Sequence, residues 1–183
     1  MTNGDSSYRR FLAGDENAFV EIVDEYRESL IFFLYRYVGD LHAAEDLAED
    51  VFVEVLLHPK RFRFQCGLKT WLFTIGRNKA VDFLRKASRL KAIPLDEADR
   101  LADECSLEHA VLDSEEKRQL NQAMGAIAED YRTVLHLVYF EELSYEETAR
   151  VMKKNRKQVE NLVYRGKQSL RKILEQEGYD DEG

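Results

Sequence analysis

Arg156, Lys157, Gln158, Glu160, Asn161, Tyr164 and Arg165, with Gln168 beyond them, lie off the apolar stripe of a helix that buries Val159, Leu162, Val163, Gly166 and Leu170. Their chemistry is that of base and phosphate contact. Arginine and lysine reach phosphates or guanine, asparagine and glutamine pair bidentately with adenine, and a glutamate accepts from the cytosine amino group. Lys157, Glu160 and Asn161 are the expected base readers, with Arg165 and Lys167 on the DNA backbone. A solvated basic helix face is the bland alternative.

A second group mixes cations with aromatics in a different pattern. Lys60, Arg61, Phe62, Arg63, Phe64 and Gln65 are followed by Trp71 and by a polar helical stripe of Asn78, Lys79, Asp82, Arg85, Lys86 and Arg89. Positive charge interleaved with stacking platforms suits a single strand. Phe62, Phe64 and Trp71 each read first as core residues and second as base stackers. A third group is acidic: Glu45, Asp46, Glu49 and Asp50, with Val53 and Leu57, face away from a core stripe. Crowded carboxylates repel by a few tenths of a kcal/mol per i,i+4 pair. A basic partner surface, or simple solubility, would account for them.

The elements that carry these groups follow from periodicity and caps. Phe19, Ile22, Val23, Tyr26, Leu30, Phe33, Leu34 and Tyr37 predict a helix ending near Gly39. Asp40 then caps a helix with Leu41, Ala44, Ala48, Val51 and Val55 on its core face, stopping before Pro59. Residues 59–67 read as a loop, and a third helix runs over 68–91 with Leu72, Gly76, Ala80, Phe83 and Leu84 inward. Residues 92–112 hold a proline, dense acid and weak periodicity, so they read as a linker. Helices follow at about 113–127 and 130–141. Ser144 with Glu147 makes a capping box that starts a helix at Tyr145, and Asn155, accepting from the Gln158 N–H, starts the next. Ala149, Met152, Val159 and Leu162 have the spacing of a helix-turn-helix.

Composition narrows the class. Nine Gly and two Pro in 183 residues supply few tight turns, so the fold is expected to be all-α. The net charge of −8 conceals its distribution. Residues 69–91 carry seven basic and one acidic side chain and 150–172 carry nine and one, whereas 92–116 carry one and nine. Screening within about 10 Å keeps distant acid from cancelling a basic patch. Cys66 and Cys105 belong to no disulfide framework or zinc motif, and His42, His58, His109 and His136 have no metal spacing. No catalytic constellation or phosphate-binding glycine loop is present, so no enzyme is expected. The N-terminus lacks an apolar leader, and the longest apolar run, 30–35, is far short of a membrane span. A cytoplasmic protein is expected.

Three segments together resemble a known family. AAEDLAEDVF at 43–52, GLKTWLFTIGRNKAVDFLRK at 67–86 and YRTVLHLVYFEELSYEETARVMKKNRKQVENLVYRGKQSLRKIL at 131–174 resemble regions 2.2, 2.3 to 2.4 and 4 of bacterial sigma factors, sigma-70 family, extracytoplasmic-function (ECF) type. The resemblance implies two small helical domains: a sigma2-like three- to four-helix domain over 1–91 and a sigma4-like helix-turn-helix domain over 113–183, joined by the acidic linker. No appended C-terminal domain is expected. It implies core RNA polymerase and promoter DNA as partners and an anti-sigma factor as regulator, without cofactor, metal or membrane insertion. By position, Glu45, Asp46, Glu49, Asp50 and Val53 would grip the polymerase. Lys60, Arg61, Arg63, Phe64, Trp71, Asn78, Lys79, Asp82, Arg85 and Lys86 would melt and read the −10 element. The face from Arg156 to Arg165 would read the −35 element. Lys153 stands in the helix-turn-helix turn where many relatives have glycine. The rival reading is a stand-alone helix-turn-helix regulator on its own operator, and a second is an acidic interaction protein without nucleic acid. The first leaves the 60–67 loop and the acidic stripe unexplained; the second leaves both basic stripes unexplained.

Overall fold

The computed structural model describes residues 3–91 and 115–176, so the expectations for the linker at 92–112, for Cys105 and for His109 lie outside it. The chain divides between Asp103 and Glu104 into two compact units. All regular structure among the described residues is helical.

The N-terminal unit holds α1 (Asn3–Leu12), α2 (Glu16–Val38), α3 (Leu41–Leu57), a 3-10 turn (Pro59–Arg61) and α4 (Leu68–Lys91). Local signals set most boundaries. Gly39 takes the left-handed conformation at φ 69° and its N–H closes α2 on the Tyr35 carbonyl at 2.8 Å. One residue on, the Asp40 carboxylate accepts from the Ala43 N–H at 2.8 Å and starts α3. Ile22, Leu30, Phe33 and Leu34 of α2 meet Ala44, Val51 and Val55 of α3 and Leu72, Phe73 and Ala80 of α4 in the core. Each buried leucine contributes about 1.5 to 3 kcal/mol. Gly76 lets α4 approach α2, since a Cβ there would sit 3.0 Å from Leu30 Cδ1.

The sigma2-like domain, expected with three to four helices, has four among the described residues; α1, with few apolar side chains in NGDSSYRRFL, is the one that periodicity did not show. It docks through Tyr8, which is fully buried. Phe83, expected inward, is exposed, and Leu84 is half-buried. At 1.5 Å per residue α4 is about 36 Å long against about 26 Å for α3, so its last turns run past the core.

The C-terminal unit holds α5 (Glu115–Ala126), α6 (Glu129–Leu135), α7 (Tyr145–Met152) and α8 (Arg156–Gln176). The helix expected to run unbroken to about 141 instead widens into a π turn over His136–Phe140, where the Glu141 N–H reaches the His136 carbonyl at 3.1 Å. That i,i+5 closure brings two buried side chains together, His136 Nε2 lying 3.1 Å from Glu141 Oε1. The Ser144–Glu147 capping box forms in both directions, at 3.2 and 2.9 Å. Gly166 packs against α6, where a Cβ would lie 3.3 Å from Leu135 and Tyr131 atoms.

Candidate nucleic-acid interface

In the C-terminal unit, α7 and α8 form the helix-turn-helix. Ala149 and Met152 of α7 are buried with Val159 and Val163 of α8, while Leu162 and Leu170 are half-buried. The turn between them is made by Lys153 at φ 53°, ψ 44°, a left-handed position without glycine, and its N–H reaches the Ala149 and Arg150 carbonyls. Asn155 and Gln158 exchange hydrogen bonds: the Gln158 N–H donates to Asn155 Oδ1 at 2.8 Å and the Asn155 N–H to Gln158 Oε1 at 2.9 Å. The Gln158 side chain, expected among the DNA contacts, is therefore held at the cap.

Arg156, Lys157, Gln158, Glu160, Asn161, Tyr164, Arg165 and Gln168 are all exposed. They differ in how far they are engaged. Arg156 donates to Glu146 of α7 at 2.6 Å and to Glu160 of α8 at 3.0 Å. Those carboxylates, Glu160 foremost, push the guanidinium pKa up from an already high value. Glu160 thus pairs with Arg156 rather than standing ready for a base amino group. Glu146 was not a sequence candidate; its partner is ten positions away on the next helix. Lys157, Asn161 and Arg165 make no ion pair among the described residues. Lys167 lies 4.8 Å over the Tyr139 ring.

In the N-terminal unit the loop turns twice. Pro59–Arg61 forms the 3-10 turn, and Phe64 adopts φ 55°. Phe62 is buried, and Phe64 and Trp71 are half-buried, in one aromatic cluster: Phe62 stacks on Trp71 with centroids 5.0 Å apart and lies 4.6 Å from Phe64. Tyr8 meets all three rings edge-on at 5.1 to 6.1 Å. Burial pushes its phenol pKa up to about 12, so the hydroxyl stays a donor.

The loop cations and the α4 stripe divide in the same way. Lys60 and Arg63 are exposed. Arg61 and Lys79 both reach Glu54 of α3, at 3.1 and 3.0 Å. The Lys79 hydrogen bond, with Arg61 adding, holds the Glu54 carboxyl below the usual range against the opposing effect of burial. Sequence reading missed Glu54 because its two partners come from a loop and a different helix. Asn78 is half-buried, and its Oδ1 is shielded from solvent without a hydrogen-bond partner among the described residues. Asp82 and Arg85 face solvent as a loose pair at 3.5 Å, and Lys86 and Arg89 are exposed.

On α3, Asp46, Glu49 and Asp50 are exposed and make no ion pair among the described residues. Glu45 is half-buried, 3.7 Å from His42 Nδ1. Val53, Leu56 and Leu57 continue the strip as an exposed apolar edge. No three His, Cys, Asp or Glu side chains among the described residues form a metal-binding group, and no described helix is long and apolar enough to cross a membrane.

Comparison with known proteins joins these surfaces to a family. A family model for Sigma-70 region 2 matches residues 22–90, and one for Sigma-70, region 4 matches residues 117–170. The ECF RNA polymerase sigma factor SigW of Bacillus subtilis is 30% identical over 170 residues, 88% of this chain and 91% of that one. The RNA polymerase sigma-H factor of Pseudomonas aeruginosa is 30% identical over 175 residues, 91% of each chain. The sigma factor RpoE from Bartonella quintana, solved in complex with the anti-sigma factor NepR, shares the fold at a TM-score of 0.68 and 22% identity, covering 86% of this chain and 96% of that one. CnrH, solved with the cytosolic domain of CnrY, gives 0.64 at 21% identity and 94% coverage of both. The chain belongs to the extracytoplasmic-function sigma factors of the sigma-70 family.

Proposed function

We propose that this chain binds core RNA polymerase through α3, opens and reads the −10 element with the 59–67 loop and α4, and reads the −35 element with α8. The observation that carries this reading is the pairing of two basic surfaces of different kinds, one on each unit, with an unpaired acidic strip on α3. A loop of cations and aromatics suits an opened strand, and a capped helix with an outward polar face suits the major groove. Asp46, Glu49, Asp50 and Val53, with Glu45 at the edge, form the polymerase surface. Lys60, Arg63, Arg85 and Lys86 hold the DNA backbone near −10. Phe64, Trp71, Asn78, Lys79 and Asp82 shape that site, with Arg61. Lys157, Asn161 and Arg165 contact the −35 duplex directly, with Tyr164 beside them, and Arg156, Glu160 and Gln158 set their frame.

The domains follow as 1–91 for polymerase and −10 contact, 92–112 as linker and 113–183 for −35 contact. The chain acts in the cytoplasm, inserts in no membrane and catalyses no reaction itself. An anti-sigma factor is the expected regulator, as NepR is the partner of the Bartonella quintana protein. A stand-alone operator-binding regulator is disfavoured because it gives the α3 acids and the N-terminal loop no task. Run-off transcription on genomic DNA tests the reading: discrete transcripts should require both core polymerase and this chain. Tight binding of free duplex by a dimer, with no change in transcription, would refute it.

A further inference from the structure

We propose that α1 is a clamp that fixes the shape of the 59–67 loop for strand opening, with Asp5 and Tyr8 as positioning residues; this rests on the −10 reading of that loop. The clamp closes on both ends of the loop. At its start the Tyr8 hydroxyl donates to the Pro59 carbonyl at 2.8 Å, and at its end Asp5 Oδ1 accepts from the Leu68 N–H at 2.8 Å. The second bond also caps the first turn of α4, so a residue 63 positions away fixes where the loop ends and the helix begins.

Between these two fastenings the loop holds a strained residue. Phe64 at φ 55° is a bulky side chain in the left-handed region, a conformation that persists only where the surroundings over-determine it. Here α1 supplies much of that constraint. The Arg9 guanidinium covers the Phe64 ring 4.0 Å from its centroid, and Tyr8 meets its edge at 6.1 Å. Lys60 and Arg63, the exposed loop cations, are carried on this constrained stretch. A loop ordered before DNA arrives does not lose its conformational freedom on capturing the strand, so opening is favoured relative to a slack loop. The whole of α1 lies N-terminal to residues 22–90 matched by the region 2 family model.

A purely structural role predicts equal damage on any template; the clamp predicts damage only where strands must be separated. The variants are Tyr8→Phe, which keeps the ring and removes only the hydroxyl, Asp5→Ala, and Asp5→Asn, which keeps a neutral acceptor. Each full-length variant is combined with core polymerase on a duplex promoter and on one premelted at −10, with permanganate reactivity of thymines as the readout of opening. Acrylamide quenching of Trp71, the single tryptophan of the chain, reports the packing of the loop cluster without DNA. Tyr8→Phe and Asp5→Ala should each lower the duplex-to-premelted ratio about fivefold, the size of one net hydrogen bond. Both should raise Trp71 quenching, and Asp5→Asn should restore most of the ratio. An unchanged ratio, with or without altered quenching, overturns the clamp and leaves the −10 reading standing. Equal losses on both templates also overturn it. Absence of thymine reactivity with the wild-type chain would overturn the −10 reading and the clamp with it.

Discussion

The face of α8 and the 59–67 loop present similar cations to solvent but are built by opposite routes. The α8 face is set by sequence neighbours: the Ser144–Glu147 box, the Asn155–Gln158 exchange and the buried Val159 and Val163. The loop is set from afar, by partners 51 and 63 positions away and by rings contributed from α1 and α4. A locally built surface tolerates change elsewhere in the chain. One built at long range depends on the fold around it, and its strain can be put to use.

The largest expected effect removes both surfaces from the promoter together. Asp46→Lys with Asp50→Lys places like charge against a basic partner, at a cost of several kcal/mol and thus over about a hundredfold in polymerase affinity. The melting temperature should barely move, because both side chains are exposed and make no ion pair among the described residues. Co-purification of the double variant with core polymerase at wild-type yield would detach α3 from the account.

Next come substitutions that separate the two surfaces. Arg63→Ala and Arg85→Ala should each slow opening of duplex promoters about tenfold while leaving templates premelted at −10 within about twofold, since each removes a backbone contact to the opened strand. Permanganate footprints read this directly. Arg165→Ala should instead weaken all promoters alike and lower the salt slope by about one unit. If the Arg63 and Arg165 variants behave alike on both templates, the division of labour fails.

A smaller effect sharpens the α8 side. Glu160 and Glu146 share Arg156, so Glu160→Ala changes both a carboxylate and the poise of that guanidinium. Acting only through that guanidinium, it should relax preference at one upstream base pair by about 1 kcal/mol at most, the size of an exposed ion pair, in a transcribed promoter library. An unchanged base profile would leave Glu160 as a surface partner of Arg156 alone.

The smallest effect compares strain. Lys153 and Phe64 are both left-handed, at φ 53° and 55°. Lys153 is exposed, so Lys153→Gly should raise stability by about 0.5 kcal/mol through relieved backbone strain. Phe64→Gly relieves the same strain but loses its ring contacts, and should lower stability instead. Thermal denaturation of the two variants gives the signs.

What the sequence displayed follows the same divide. Gly39, Asp40 and both caps of the helix-turn-helix were legible because each signal lies within a few residues of its effect. The α8 face was legible in position, since its buried stripe fixes it. The occupancy of that face was not: Arg156 and Glu160 engage each other, and Glu146 joins them from α7. α1 was illegible because the face it buries, Gly4, Ser7 and Tyr8 with Phe11 half-buried, is mostly small or polar, and its other ties, Asp5 to the Leu68 N–H and Arg10 to Glu21, reach other elements. Phe83 misled because its position continues the core stripe beyond the point where the core ends. Arg61 and Lys79 read as free cations, yet Glu54 holds both.

The central claim is that two surfaces on separate units read two separate promoter elements. Strand cleavage by an iron chelate tethered to a single cysteine measures this most directly. Gln65→Cys or Gln168→Cys, each in a chain carrying Cys66→Ser and Cys105→Ser, places the chelate beside the loop or on α8. In complex with core polymerase and a promoter, the loop tether should cut near −10 and the α8 tether near −35, with the −10 cuts on unpaired strand. Cleavage from both tethers at one site, or at two half-sites about one helical turn apart without polymerase, would contradict the account and describe an ordinary operator-binding dimer.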